Sequence, residues 1–342
     1  MDLTIYYSLA CSILLLFTGY VIPFIRNKKT ARLISWTIAL LSTVMTIYST
    51  WNQPPLIRML TITAIQLLSM KGLVMVETYS GKPRLHFFQW LPFSQAWFGM
   101  RPVLFEALIS RVQSGVWYFL IKGCSRILLG LFLLLLSTFI SFDLLSDLFL
   151  LVGLSFILHF GILNLSTGLW RALGVDVKEL FIAPYKATSL KEFWGKRWNM
   201  AFSEMTALIV YKPLLPVLGK QKSMIASFLF SGILHEIAIS FPVQSGYGLP
   251  LLYFALHAFL MFLESKIIAI QKITAHRLWG HVWVMTWLIL PTSLTLSSRF
   301  RRCRSKTSGP FDFTFHLLIW QLYFLQRLLT LLFLSSSIYP EA

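Results

Sequence analysis

The chain has 342 residues, of which 56% are hydrophobic, 15% aromatic and only 13% charged, against roughly 25% charged residues in an ordinary soluble domain. With a mean hydropathy of +0.70, this excludes a soluble globular domain and intrinsic disorder, and describes a chain that meets lipid over most of its surface. The net charge of +17 does not point to nucleic acid, because most cations lie in short links beside apolar runs, where the positive-inside bias and anionic headgroups account for them.

A hydrocarbon core of about 30 Å needs about 20 apolar residues in a helix. By that ruler residues 4–24, 33–51, 56–76, 127–142, 148–170, 223–241, 249–270 and 315–334 read as spans. The first has no positive segment ahead of it and Arg26, Lys28 and Lys29 behind it, the pattern of a retained signal anchor. Residues 200–218, interrupted by Glu204, Lys212 and two prolines, and residues 278–296, with His281 and Pro291, can be read either way. The expected fold is an all-α polytopic bundle of about eight to ten membrane segments, one domain over residues 1–342, since no Pro- or Ser-rich linker divides it. Cys11, Cys124 and Cys303 form no CxxC pair, so neither a disulfide framework nor a zinc site is supported.

Placing Arg26, Lys28, Lys29 and Arg32 in the cytosol puts the N-terminus outside and returns the chain to the cytosol at Glu77. The basic stretch 77–126 agrees, as does the acidic turn with Asp143 and Asp147 on the far side and the basic link that starts at Arg171. Beyond that link, the side taken by Arg299, Arg301, Arg302, Arg304 and Lys306 depends on the two ambiguous segments.

Two stretches carry chemistry. From Pro184 to Asn199 the link reads Pro-Tyr-Lys-Ala-Thr-Ser-Leu-Lys-Glu-Phe-Trp-Gly-Lys-Arg-Trp-Asn. Ser189 and Glu192 form a capping box that starts a helix, on which Trp194 and Trp198 share one face at i, i+4, and Phe193 and Arg197 the adjoining one. Two indoles with Lys196 and Arg197 suit an amphiphile with an anionic head. An interfacial aromatic anchor with snorkelling cations leaves the same signature. The second stretch, Ser231-Gly232-Ile233-Leu234-His235-Glu236, puts two ionisable residues inside an apolar span. Such residues face a protein interior or a wet cavity and are functional candidates, although a histidine that only bonds a neighbouring helix fits the same pattern. Ser227, Ser231 and His235 make one polar stripe, while Glu236 projects about 100° away. His159, His257 and Glu264 lack a companion motif and read as satisfied buried polar residues. No GxGxxG, Walker A, GxSxG or HExxH pattern is present.

The first stretch, followed by Tyr211-Lys212-Pro213 and then by the second, resembles the wax synthase branch of the membrane-bound O-acyltransferase superfamily over residues 171–241. The resemblance implies a helical bundle with an internal reaction tunnel that transfers an acyl group from acyl-CoA to a lipophilic alcohol. That alcohol is long-chain in wax synthases, and a sterol, diacylglycerol or terpenoid alcohol in relatives. It implies His235 as catalytic base and Asn199 as the residue that places the donor; from the residues themselves, Trp194, Lys196, Arg197 and Trp198 are expected around acyl-CoA and Ser231 and Glu236 in support. Lys196 stands where Arg is more usual in the family, which keeps the charge and weakens a bidentate phosphate contact. A thioester is already activated, so the expected mechanism is direct attack of the alcohol within a ternary complex, without metal or bound cofactor. The expected partners are acyl-CoA, the alcohol and membrane lipid. The expected location is the endoplasmic reticulum membrane in a eukaryote or the inner membrane in a bacterium, with the first motif facing the cytosol. Competing classes are a proton-coupled transporter, which intramembrane His and Glu would also suit but for which no internal repeat speaks, and a catalytically silent lipid-binding relative.

Overall fold

The computed structural model describes residues 3–79 and 81–304, and every regular element among them is helical. In chain order these are α1 (Leu3–Val21), α2 (Lys28–Ser49), α3 (Pro55–Tyr79), α4 (Phe87–Gln95), α5 (Val116–Phe139), α6 (Asp143–Ser155), α7 (Leu163–Ala172), α8 (Leu190–Glu192), α9 (Met200–Thr206), α10 (Lys212–Val243), α11 (Leu249–Lys266), α12 (Ile268–Ala275) and α13 (Arg277–Arg304). Single π-helical stretches at Phe156–Ile162, Phe193–Arg197 and Ala207–Tyr211 join α6 to α7, extend α8 and join α9 to α10.

Among the described residues, seven helical stretches are long and apolar enough to cross a membrane, including Leu145–Ala172 and Met200–Val243 as continuous pieces. The chain is a multi-pass membrane protein. Six of the spans read from the sequence correspond to helices of nearly the same extent. The span read as 127–142 instead begins at Val116, because Lys122 and Arg126 are accommodated within the helix. Residues 200–218 are helical and run into the following span, with one break at Gly219, whose φ of 72° and ψ of 174° only glycine adopts without strain. Residues 278–296 lie within α13. The span expected at 315–334 lies outside the described residues.

The chain divides into two compact units. The first lies within Met1–Arg111, Gly174–Asp176 and Ala201–Ala258. Its α2 buries a stripe of small residues, Ser35, Ala39, Ser42 and Thr46, at helical spacing, and Ser42 Oγ meets Ser69 Oγ of α3 at 3.2 Å. Ser42 and Thr46 also bond carbonyls of their own helix, those of Ala39 at 3.1 Å and Ser42 at 2.7 Å, which satisfies these two hydroxyls within the span, whereas the buried Ser35 Oγ meets no hydrogen-bond partner. Glu77 at the end of α3 accepts from Arg32 at 2.5 and 2.9 Å and pairs with Lys28 at 3.2 Å, tying the start of α2 to α3.

The second unit lies within Val112–Leu173, Val177–Met200 and Phe259–Ala342. Here α5 packs along α6 and α7 through glycines. A Cβ on Gly130 would stand 2.6 Å from the Gly153 carbonyl, and one on Gly153 2.7 Å from that of Gly130, so the backbones touch. Buried Arg171, at the end of α7, donates to the carbonyls of Ser114 and Val177, both at 2.7 Å. It thereby holds the entry of α5 and the start of the motif-bearing link.

Candidate active site

In the first unit the stripe read from sequence forms a continuous ladder. Ser227 Oγ donates to the Ser223 carbonyl at 2.9 Å, Ser231 Oγ to that of Ser227 at 3.0 Å, and His235 Nδ1 lies 2.7 Å from the Ser231 carbonyl. A carbonyl can only accept, so Nδ1 carries the proton in the neutral ring and Nε2 keeps its lone pair. The imidazole is held between Phe202 and Phe254, with ring centroids 4.8 and 4.4 Å away. Phe254 reaches that position because α11 crosses α10 at Gly232, where a Cβ would meet Leu251 Cδ1 at 2.9 Å and Phe254 Cβ at 3.1 Å. Glu236 does not touch the imidazole ladder: its carboxylate accepts from the amides of Gly248 at 2.8 Å and Leu251 at 3.4 Å. It caps the start of α11, a packing part that its angle on the helix foreshadows.

The same unit holds a cleft of about 830 Å³ whose wall includes Lys28, Arg32, Glu77, Arg101, Glu204 and Lys212. Arg101 pairs with Glu204 at 2.7 Å, and Lys212 is exposed at the start of α10. Four cations against two carboxylates make the wall net positive. Beneath it Lys71, fully buried in α3, donates from Nζ to the carbonyls of Phe93 at 2.8 Å, Trp97 at 2.8 Å and Gly99 at 2.6 Å. Its three protons are thus matched by three acceptors, and the loop that follows offers the Met100 amide to Glu204 at 3.3 Å.

In the second unit the first motif folds as its capping signal requires at one end and departs from it at the other. Ser189 Oγ accepts from the Glu192 amide at 3.1 Å, and Glu192 reaches back to the amide of Thr188 at 3.0 Å, one residue earlier than in the standard capping box. The turn then widens into a π-helix, with Trp198 N–H donating to the Phe193 carbonyl at 2.9 Å. Trp198 is therefore extended, with φ −104° and ψ 125°, and the face expected to carry both Trp194 and Trp198 does not form. Instead Trp198 is buried, stacked on Phe193 at 5.5 Å and edge-on to Phe181 at 4.8 Å, while Trp194 stands edge-on to Phe193 at 5.1 Å.

Arg197 is engaged within the motif: it donates to Glu192 at 2.6 and 2.8 Å and to the carbonyls of Ile182 and Ala183 at 3.3 Å. Burial opposes ionisation of Glu192, but the Thr188 amide and Arg197 outweigh it and hold the carboxyl below its usual range. Lys196 is the exposed cation of the pair. Asn199 has a positive φ of 44°, a conformation that asparagine tolerates better than other side-chain-bearing residues. The turn is pinned on both sides, by Ile182 N–H to the Arg197 carbonyl at 2.8 Å and Met200 N–H to that of Leu180 at 2.9 Å.

His235, Ser231 and Glu236 thus belong to the first unit, and Trp194, Lys196, Arg197, Trp198 and Asn199 to the second. Among the described residues no group of three His, Cys, Asp or Glu side chains could hold a metal ion. Of the residues set aside in the sequence, His257 is fully buried with Nδ1 2.8 Å from the Tyr253 carbonyl. His159 differs from the expectation of a satisfied residue, since its Nδ1 meets no hydrogen-bond partner of acceptable geometry. Lys71 and the basic cleft were missed, although a lysine inside the apolar run 56–76 was a visible signal.

Residues 177–261 match the model of a family described as "Membrane bound O-acyl transferase family". The chain is 38% identical over 73 residues to a long-chain-alcohol O-fatty-acyltransferase of Simmondsia chinensis, covering 19% of this chain and 21% of that protein. It is 32% identical over 125 residues to "Probable long-chain-alcohol O-fatty-acyltransferase 7" of Arabidopsis thaliana, 34% of this chain and 36% of that one. It is 40% identical over 70 residues to acyl-CoA–sterol O-acyltransferase 1 of the same plant, 18% and 20%. The matched stretches span between a fifth and about a third of these relatives. The family-model match, residues 177–261, takes in both motifs, and over that stretch the chain is similar to membrane-bound O-acyltransferases.

Proposed function

We propose that this protein is an acyl-CoA-dependent O-acyltransferase whose acceptor is a lipophilic alcohol, in the first place a long-chain fatty alcohol, giving a wax ester. The observation that carries the reading is the 2.7 Å contact of His235 Nδ1 with the Ser231 carbonyl. With its Nδ1 proton held by the Ser231 carbonyl at 2.7 Å, the ring offers an Nε2 lone pair inside an apolar span, where a general base accepts the proton of an attacking hydroxyl and water is excluded. The alcohol oxygen bonds to the thioester carbon, the carbon–sulfur bond breaks, and the proton taken by Nε2 passes to the departing thiolate, so neither metal nor cofactor enters the balance. Asn199 donates its amide to the thioester oxygen, and the exposed Lys196 of the same motif meets the phosphates of the donor on the cytosolic side. The sterol acyltransferase among the relatives supports a sterol as the second acceptor to try.

The test is acyl transfer by membranes containing the full chain, with labelled palmitoyl-CoA and a panel of alcohols, followed by lipid separation. A wax ester formed with hexadecanol and lost in His235→Ala, at unchanged membrane content, is the expected result. A loss of about 10²–10⁴-fold corresponds to removing a general base. Full turnover in His235→Ala would refute the assignment of the base, and transport of a solute without ester formation would favour a carrier.

A further inference from the structure

The first motif starts with a helix too short to hold itself. Its α-helical part is the three residues Leu190–Glu192, extended by the π-turn Phe193–Arg197, well below the length at which a helix persists alone. A residue outside the motif grips its start. Glu264, near the end of α11 and 8% exposed, accepts from the amide of Leu190 at 2.7 Å and that of Lys191 at 3.1 Å, one with each carboxylate oxygen. Trp283 of α13 donates its indole N–H to the same carboxylate at 2.9 Å. A buried carboxylate is costly in a span unless several donors meet it. Here two of the three donors are the first amides of the motif helix, where a negative charge also complements the helix dipole. The neighbouring chain is equally close: a Cβ on Gly280 would lie 2.6 Å from the Thr188 carbonyl. Glu264 lies just beyond the stretch 177–261 that matches the family.

We propose that Glu264 is a positioning residue for the acyl donor. By fixing the amides of Leu190 and Lys191, it sets the register of the turn that presents Trp194 and Lys196 and leads into Asn199. This rests on the reading of the first motif as the donor site. The prediction is a split between substrates. In membranes containing the full chain, Glu264→Gln removes the charge and leaves a single acceptor oxygen, so that its NH2 faces the N–H of one of the two amides, and the KM for palmitoyl-CoA should rise about tenfold while the KM for hexadecanol stays unchanged. Trp283→Phe leaves the carboxylate on both amides and should keep the donor KM within about twofold of wild type. If Glu264→Gln does not accumulate, Glu264→Asp decides: it keeps the charge but is one methylene shorter, and its donor KM should also rise severalfold. Unchanged donor KM in these variants, or an equal change for both substrates, would overturn the proposal and leave Glu264 a packing residue. Wild-type membranes that transfer no acyl group would instead overturn the reading of the reaction, and this inference with it.

Discussion

Asn199 offers the sharpest separation between a residue that acts and one that merely turns the chain. Its φ of 44° lies where an ordinary L-residue is strained by about 1–2 kcal/mol and glycine is not. The flanking bonds of Ile182 and Met200 at 2.8 and 2.9 Å allow little relaxation. Asn199→Gly should therefore keep the turn and remove only the amide, whereas Asn199→Ala removes the amide and adds the strain. If the amide stabilises the developing oxyanion, its loss lowers turnover about 10²–10³-fold, or roughly 2.7–4 kcal/mol. The two variants should then be almost equally inactive per folded molecule but differ in melting temperature by a few degrees, since about 1 kcal/mol is worth roughly 2–4 °C in a chain somewhat smaller than this one. The assay is ester formation from palmitoyl-CoA and hexadecanol, normalised to folded protein, beside a thermal melt. Turnover in Asn199→Gly within about threefold of wild type would refute the donor role and leave Asn199 as a turn residue.

Gly232→Ala should cost about 1–3 kcal/mol by overpacking, because its Cβ would sit 3.2 Å from Leu251 Cα and 3.1 Å from Phe254 Cβ. Activity should fall with it, since Phe254 packs on the His235 ring, and an unaltered melting temperature would show that α11 yields freely. The Glu192 carboxyl is held below its usual range, so its stabilising bonds to Thr188 and Arg197 are complete above the unfolded value of about 4.3 and are lost as pH falls through the lower folded value. Tryptophan fluorescence of the motif and amide exchange at Thr188 should thus stay constant down to about pH 5 and change only below it; a transition near neutrality that Glu192→Gln removes would contradict this. A cysteine introduced by Lys191→Cys, at an exposed position, should react with an impermeant maleimide from the cytosolic side. Reaction from the opposite side alone would reverse the topology and remove the donor from the first motif.

Much of this protein was legible in its residues. Apolar runs of membrane length announced the helices because lipid offers no hydrogen bonds, so the backbone must satisfy itself locally. The Ser227–Ser231–His235 stripe followed from helical spacing alone, since all its bonds run between residues four apart. The start of the motif helix followed from Ser189 in the same way. What tertiary structure decided are the features built by partners distant in sequence. A π-turn set by the packing of Phe193, Phe181 and Trp198 separated two tryptophans that α-helical spacing would have aligned. Arg197, a free cation in the sequence, was drawn to Glu192 and to carbonyls 14 and 15 residues earlier. Lys71 found its three acceptors 22 to 28 residues later, and Glu264 its two amides more than 70 residues earlier. A buried charge in a span announces only that it must be compensated; which donors or acceptors do so depends on where the rest of the chain comes to lie.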